Sequence, residues 1–181
     1  MSDEAEIAAE ASEQDAGADA SAGSAPGRYG AVDGPESGLL FATVDNYLDV
    51  CVAAQADGFD QLIDVTAVDY LTYGAPRNLP AGVDAERFEV VTQLINHSRR
   101  ERLRIRTQVS GHEPVIASLF DLWPGSEYLE REVYDMFGIE FAEHPDMSRV
   151  LMPEDWVGHP LRKDFAVGSI PVQFKAASNE R

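Results

Sequence analysis

Four prolines, Pro145, Pro153, Pro160 and Pro171, punctuate the last forty residues, from Ala142 to Arg181. They forbid any long helix there, and no hairpin spacing appears between them. The same stretch carries Met147, Val150, Leu151, Met152, Trp156, Val157, Leu161, Phe165, Ile170, Val172 and Phe174. A disordered tail is poor in such residues. An extended, apolar, proline-punctuated arm over 142–181 has to lie on a surface, either that of its own domain or that of another protein. Long ordered stretches of this kind usually carry function.

The opposite end of the chain reads differently. Residues 1–25 hold seven acids and no base among many alanines, and 1–38 as a whole reads as a disordered acidic tail. Its glycines do not follow a strand, so they make no dinucleotide fingerprint. Its start has neither a positive charge cluster nor an apolar stretch, so the expected location is the cytoplasm. The full chain has 181 residues with 32 acids against 14 bases, a net charge of −18. That argues against binding nucleic acid, which needs a basic face. A single cysteine, Cys51, excludes a disulfide framework, a four-cysteine zinc site and a self-contained iron–sulfur cluster. No apolar run reaches the roughly 20 residues needed to span a bilayer.

Between these ends, residues 39–141 read as one α+β domain. A helix is expected over Val44–Asp57, with Thr43 as cap and Val44, Tyr47, Leu48, Cys51 and Val52 as its apolar stripe. Leu62–Tyr70, Phe88–Ile95 and Arg102–Val109 alternate as strands, the last two close enough to form a hairpin. Pro114 can start a short helix running to Leu122, stopped by Trp123-Pro124. Glu127–Phe137 is a clear helix with Leu129, Val133, Met136 and Phe137 on one stripe and Glu127 and Arg131 paired opposite. Gly138 closes it, and Ile139–Phe141 alternates like a short strand. These elements lack regular βαβ alternation, which points to a two-layer domain with a mixed sheet packed by helices.

Two constellations could carry chemistry. Glu130, Arg131, Glu132, Tyr134 and Asp135, followed by His144, Asp146, Glu154, Asp155 and His159, supply ligand and acid–base residue types. However, each of His144 and His159 precedes a proline with no second histidine at ligand spacing, so a charged helix face and a polar loop explain them as well. A hydrolase using Glu132 and His144 is the enzyme reading. Glu132 borders the apolar stripe of its helix and calls for an arginine, with Arg149 and Arg162 on the arm as candidates. The second constellation is Arg102, Arg104 and Arg106, which share one face of a strand in an acidic chain. Either it is a solvated sheet face, matched across the sheet by an acid such as Glu89, or it docks an acidic partner. On the arm, Trp156 and Phe165 are the expected anchors, with Met147 and Met152 filling gaps beside them.

The run Glu130-Arg131-Glu132-Val133-Tyr134-Asp135-Met136-Phe137-Gly138-Ile139, continuing through His144-Pro145-Asp146-Met147 to Leu151-Met152-Pro153-Glu154-Asp155-Trp156 and Gly158-His159-Pro160-Leu161-Arg162-Lys163-Asp164-Phe165, closely resembles the signature of the C subunit of NADH-quinone oxidoreductase (respiratory complex I, 30 kDa subunit family). Asp64–Tyr70, Arg87–Val91 and Leu122-Trp123-Pro124 also resemble it, so the likeness covers roughly Thr43 to Phe174. Glu143 and Ser148 depart from the family pattern, at the turn before His144 and at one charge contact.

The resemblance implies a cofactor-free, non-catalytic subunit of the peripheral arm, at the cytoplasmic face of the cell membrane. FMN, iron–sulfur clusters and quinone would be carried by other subunits of the proton-translocating complex. The expected partners are the quinone-site (D-type) subunit, over which the arm would be laid, and other peripheral-arm subunits; membrane contact would come only through the assembly. The equivalent subunit of a membrane-bound hydrogenase or a related dehydrogenase complex is the alternative.

Overall fold

The computed structural model describes residues 27–166. In chain order they form β1 (Val32–Asp33), β2 (Leu39–Ala42), α1 (Tyr47–Ala56), β3 (Gln61–Asp69), β4 (Phe88–Asn96), β5 (Glu101–Val109), β6 (Val115–Ala117), α2 (Glu127–Phe137) and β7 (Glu140–Ala142). The acidic stretch 1–26 and the arm residues Ile170, Pro171, Val172 and Phe174 lie outside the described residues.

Alternation builds the main sheet. Leu103, Ile105 and Val109 of β5, Phe88, Val90 and Leu94 of β4, and Val65 and Ala67 of β3 bury one face. The expected hairpin forms, with β4 and β5 antiparallel from Phe88↔Val109 to Asn96↔Glu101. The strand order is β1-β2-β5-β4-β3, and β2 runs parallel to β5 while the other pairs are antiparallel. The result is the mixed sheet of an α+β domain, with α1 and α2 contributing to the core on its buried face. The Tyr47 and Thr92 hydroxyls share a 2.6 Å hydrogen bond between α1 and β4. Cys51 is buried in the same core, where burial raises its thiol pKa and keeps it unreactive.

Several expectations need correction. The amino-terminal tail cannot run to residue 38, because Arg28–Gly30 forms a 3-10 turn, β1 pairs with β2, and Ala31 is buried. A polar knot holds this entry. Arg28 and Arg99 both bind Asp57 at the end of α1, and Arg28 also binds Glu101. The buried strand β2 precedes the expected first helix, and α1 begins at Tyr47 rather than Val44. Thr43 still organises its start: the Thr43 N–H donates to Asn46 Oδ1 and the Asn46 N–H to Thr43 Oγ1. This reciprocal pair is built like a capping box with asparagine as the returning acceptor. The face that α1 buries is Tyr47, Val50, Cys51 and Ala54, leaving Val44 and Val52 exposed. No helix forms over 114–122. Val115–Ala117 is instead a strand parallel to β7, since β7 returns beside it and supplies a ladder that local periodicity does not reveal.

Candidate functional site

Helix α2 presents different faces to two layers. Val133, Met136 and Phe137 join the core, while Asp135 points to the opposite side and is nevertheless fully buried. At 100° per residue Asp135 stands roughly 160° from Val133, so the sheet cannot be what covers it. The arm covers it. One carboxylate oxygen of Asp135 accepts a hydrogen bond from Arg149 Nη1 at 2.5 Å, and the other accepts the consecutive N–H groups of Val150, Leu151 and Met152 at 3.1, 2.8 and 2.8 Å. Burial works to raise the pKa of this carboxyl, but the Met152, Leu151 and Val150 donors and Arg149 outweigh it and hold it below the ordinary carboxylate value.

The arm then returns along the carboxyl end of α2. His159 Nδ1 lies 3.0 Å from the Asp135 carbonyl oxygen, the Leu161 N–H donates to the Met136 carbonyl, and Arg162 donates to the Phe137 and Gly138 carbonyls. Those carbonyls are the ones a helix end leaves without intrahelical partners. Gly138 makes the approach possible. Its φ is +69°, and a Cβ there would sit 2.5 Å from His159 Nε2 and 2.6 Å from Arg162 Nη2. Burial lowers the pKa of His159, with Arg162 and Arg149 adding to the effect.

A second clasp closes the described arm onto the sheet. Asp69, at the end of β3, accepts two bonds from Arg87 and the N–H of Lys163 at 2.9 Å. Arg87 also binds Asp164 at 2.8 Å. Met147 and Met152 pack against the core from the arm. The outward side differs: Val157 is 88% exposed, Leu151 57% and Leu161 48%. Trp156 and Phe165 stack with ring centres 6.4 Å apart beside a hollow of about 510 Å³ lined also by Asp155, Val157 and Gly158. Among the described residues the buried Trp156 Nε1–H has no partner. The arm is therefore pinned to its own domain by polar contacts and turns apolar groups outward.

The expected site residues separate in space. Arg149, Trp156, His159, Arg162 and Phe165 all take part in the arm, whereas Glu132 is exposed, and neither of its expected partners reaches it. Arg149 goes to Asp135 and Arg162 to backbone carbonyls. His144 Nε2 lies 3.2 Å from the Glu127 carbonyl oxygen and its ring meets Phe120 edge-on, so it braces a turn. Glu132 and His144 form no joint site, and among the described residues no group of three or more His, Cys, Asp or Glu side chains could hold a metal ion. The arginine stripe divides: Arg106 forms a two-pronged pair with buried Glu89, while Arg102 and Arg104 stay exposed.

Glu130 and Asp135 stand in the charged constellation read from the sequence and Asp69 does not, but sequence reasoning missed the burial of all three carboxylates. Glu130 accepts from Ser118 Oγ at 2.6 Å and the Leu119 N–H at 2.7 Å, and burial raises its pKa. A signal existed for Glu130 alone. It lies about 100° from Leu129 but only about 20° from Phe137, inside the apolar stripe.

A family model described as "Respiratory-chain NADH dehydrogenase, 30 Kd subunit" matches residues 41–170. The C subunit of the NADH-quinone oxidoreductase of Bordetella petrii is 39% identical over 145 residues, which are 75% of this chain and 69% of that protein. Other curated relatives with this description are matched over only 50–58% of their length. Among solved structures, a trypsin-resistant fragment of Nqo5 superposes with a TM-score of 0.53 at 34% identity, covering 60% of this chain and 80% of the fragment. A chain from an archaeal membrane-bound sulfane sulfur reductase superposes with a TM-score of 0.54 at 21% identity, covering 79% and 84%, a likeness of fold alone.

Proposed function

The chain belongs to the 30 kDa subunit family of respiratory-chain NADH dehydrogenase, and from that premise we propose that it is a non-catalytic assembly subunit of an NADH-quinone oxidoreductase. In this reading it binds no cofactor itself; FMN, iron–sulfur clusters and quinone sit on other subunits. It stands in the peripheral arm at the cytoplasmic face of the membrane and supports the quinone-site subunit while electrons pass from NADH to quinone and protons are moved. Its own contribution is mechanical: a domain that holds a shaped arm against its neighbour.

The observation that carries this reading is the double clasp. Asp135 and Asp69 fix the arm from the inside by backbone hydrogen bonds, which leaves Leu151, Val157 and Leu161 facing outward. Apolar groups left in water cost roughly 25 cal/mol per Å², and large exposed apolar patches mark contact surfaces. Trp156 and Phe165 flank the hollow into which a partner side chain could insert, where aromatics concentrate binding energy. Among the described residues no helix is long and apolar enough to cross a membrane, and membrane association in this reading comes through the partner subunits.

Affinity purification of the full chain from its native membrane tests the proposal. The expected result is co-isolation with a quinone-site subunit and with the flavin- and cluster-bearing subunits. Recovery with hydrogenase or sulfur-reductase subunits instead would assign the chain to a different complex, and turnover by the purified chain alone would overturn the non-catalytic role.

A further inference from the structure

The sheet has a second face, and one corner of it carries positive charge that no described acid neutralises. Side chains at Arg102 and Arg104 point away from the core, with Arg100 just before them in the β4–β5 turn. Every other described arginine has a partner. Arg28, Arg87, Arg99, Arg106, Arg131 and Arg149 pair with carboxylates. Arg77 binds Gln108 and the Glu86 carbonyl, and Arg162 binds carbonyls at the end of α2. Arg100, Arg102 and Arg104 are all exposed, and no described acid pairs with them, although the chain has 32 acids for 14 bases.

The neighbours sharpen this. Across the sheet Arg104 faces Gln93, which faces Asp64 on β3, and Arg102 faces Ile95. Arg102, Arg104 and Gln93 also border a hollow of about 150 Å³ closed by the turn Glu36–Leu39. Glu36 lines the hollow and Asp64 lies across the sheet from Gln93, yet neither forms an ion pair with the arginines. Like charges held together on one strand repel, so the cluster is unfavourable while empty. A polyanion such as nucleic acid would meet the net charge of −18 around this small patch. A short element carrying a few carboxylates would not have to extend beyond it.

We propose that Arg100, Arg102 and Arg104 dock a carboxylate-bearing segment of a neighbouring subunit, with one acidic side chain entering the hollow between Arg102, Arg104, Gln93 and the 36–39 turn. The site lies on the sheet face away from the core that the arm packs against, so it provides a second contact, separate from the arm. The inference rests on the chain being a subunit of a larger assembly. The patch steers association, since exposed charges at an interface act mostly on the rate of encounter and lose force in salt.

The test uses the full chain and the remaining subunits of its complex, prepared without it, with association followed at low and high salt. Replacing all three residues (Arg100→Ser, Arg102→Ser, Arg104→Ser) should slow association about tenfold at low salt and flatten its salt dependence, as expected for several exposed charge pairs. The corresponding lysine variant should recover most of the rate. Unchanged rate and salt dependence in the serine variant overturn the patch while leaving the assembly reading intact. If the wild-type chain fails to bind the remaining subunits at all, the assembly reading falls, and the patch with it. Salt-sensitive Arg102 and Arg104 side-chain resonances in the free chain that vanish on deleting residues 1–26 would place the occupant within this chain and overturn the partner.

Discussion

Arg149 reaches Asp135 across the back of α2 at 2.5 Å, and the same carboxylate takes up the three N–H groups that follow Arg149. One buried side chain thus sets both the charge balance and the backbone path of the arm. Replacing Asp135 with asparagine leaves the Arg149 guanidinium without its counter-charge and replaces one acceptor oxygen by a donor. Breaking a buried, hydrogen-bonded pair costs about 3–5 kcal/mol. The expected outcome is a lower melting temperature together with proteolytic cleavage within residues 149–162, read by mass spectrometry of the fragments.

The pH dependence of that clasp follows from its sign. Burial raises the Asp135 pKa, but the Met152, Leu151 and Val150 N–H groups and Arg149 lower it more, leaving a net depression. A depressed carboxyl contributes stability that is present above its unfolded pKa of about 3.9 and is lost as pH falls through the folded value. The Asp135 clasp itself should therefore hold from pH 5 to 8 and loosen only in stronger acid. His159, whose charged form burial disfavours, is the arm group that can weaken the arm's hold as pH falls below about 6.5. Limited proteolysis across that range with an acid-tolerant enzyme measures it; loosening near pH 6 would assign the control to His159.

Glu130 has the opposite sign. Burial, its largest influence, raises its pKa, so its charge weakens the fold as pH climbs from about 4 through the folded value. Glu130→Gln keeps an oxygen for the Leu119 N–H while removing the charge. Urea unfolding should show this variant losing less stability than wild type between pH 4.5 and 7.5. Glu130→Ala leaves the Leu119 N–H without an acceptor and should cost about 1–3 kcal/mol throughout.

Arg106 and Arg104 share a strand face and should behave differently. Arg106 neutralises Glu89, which is 1% exposed, so Arg106→Ser strands a buried carboxylate and should cost roughly 3 kcal/mol. Arg104→Ser should stay within about 0.5 kcal/mol, as for an ordinary surface change. Thermal melts of the two single variants decide this. A triple serine variant at 102, 104 and 106 would thus mix a folding defect with any loss of assembly.

Gly138 tests how closely the arm must approach the helix end. A left-handed conformation costs a non-glycine residue about 1–2 kcal/mol, and an alanine methyl would also meet His159 and Arg162. Gly138→Ala should destabilise by more than the conformational cost alone and expose 159–166 to protease. Truncation after Phe141 carries a related expectation: it strips Asp135 and Asp69 of their arm donors, so the shortened domain should melt below the full chain.

Local periodicity was enough for the elements whose partners are near in sequence. Glu127–Phe137 shows its own apolar stripe, and β4 and β5 are joined by a four-residue turn, so both could be read from neighbouring residues. The aromatic and methionine content of the arm likewise showed that it lies against a surface. What tertiary structure decided was which surface and by which groups. The Asp69–Lys163 bond spans 94 positions, and β2 reaches β5 as a parallel neighbour across more than sixty. Asp135 sits on the side of α2 that a helical wheel assigns to solvent, and only the returning arm makes it an interior residue. Burial of a charge depends on the second layer that covers it, and that layer is a property of the folded chain rather than of the helix that carries the charge.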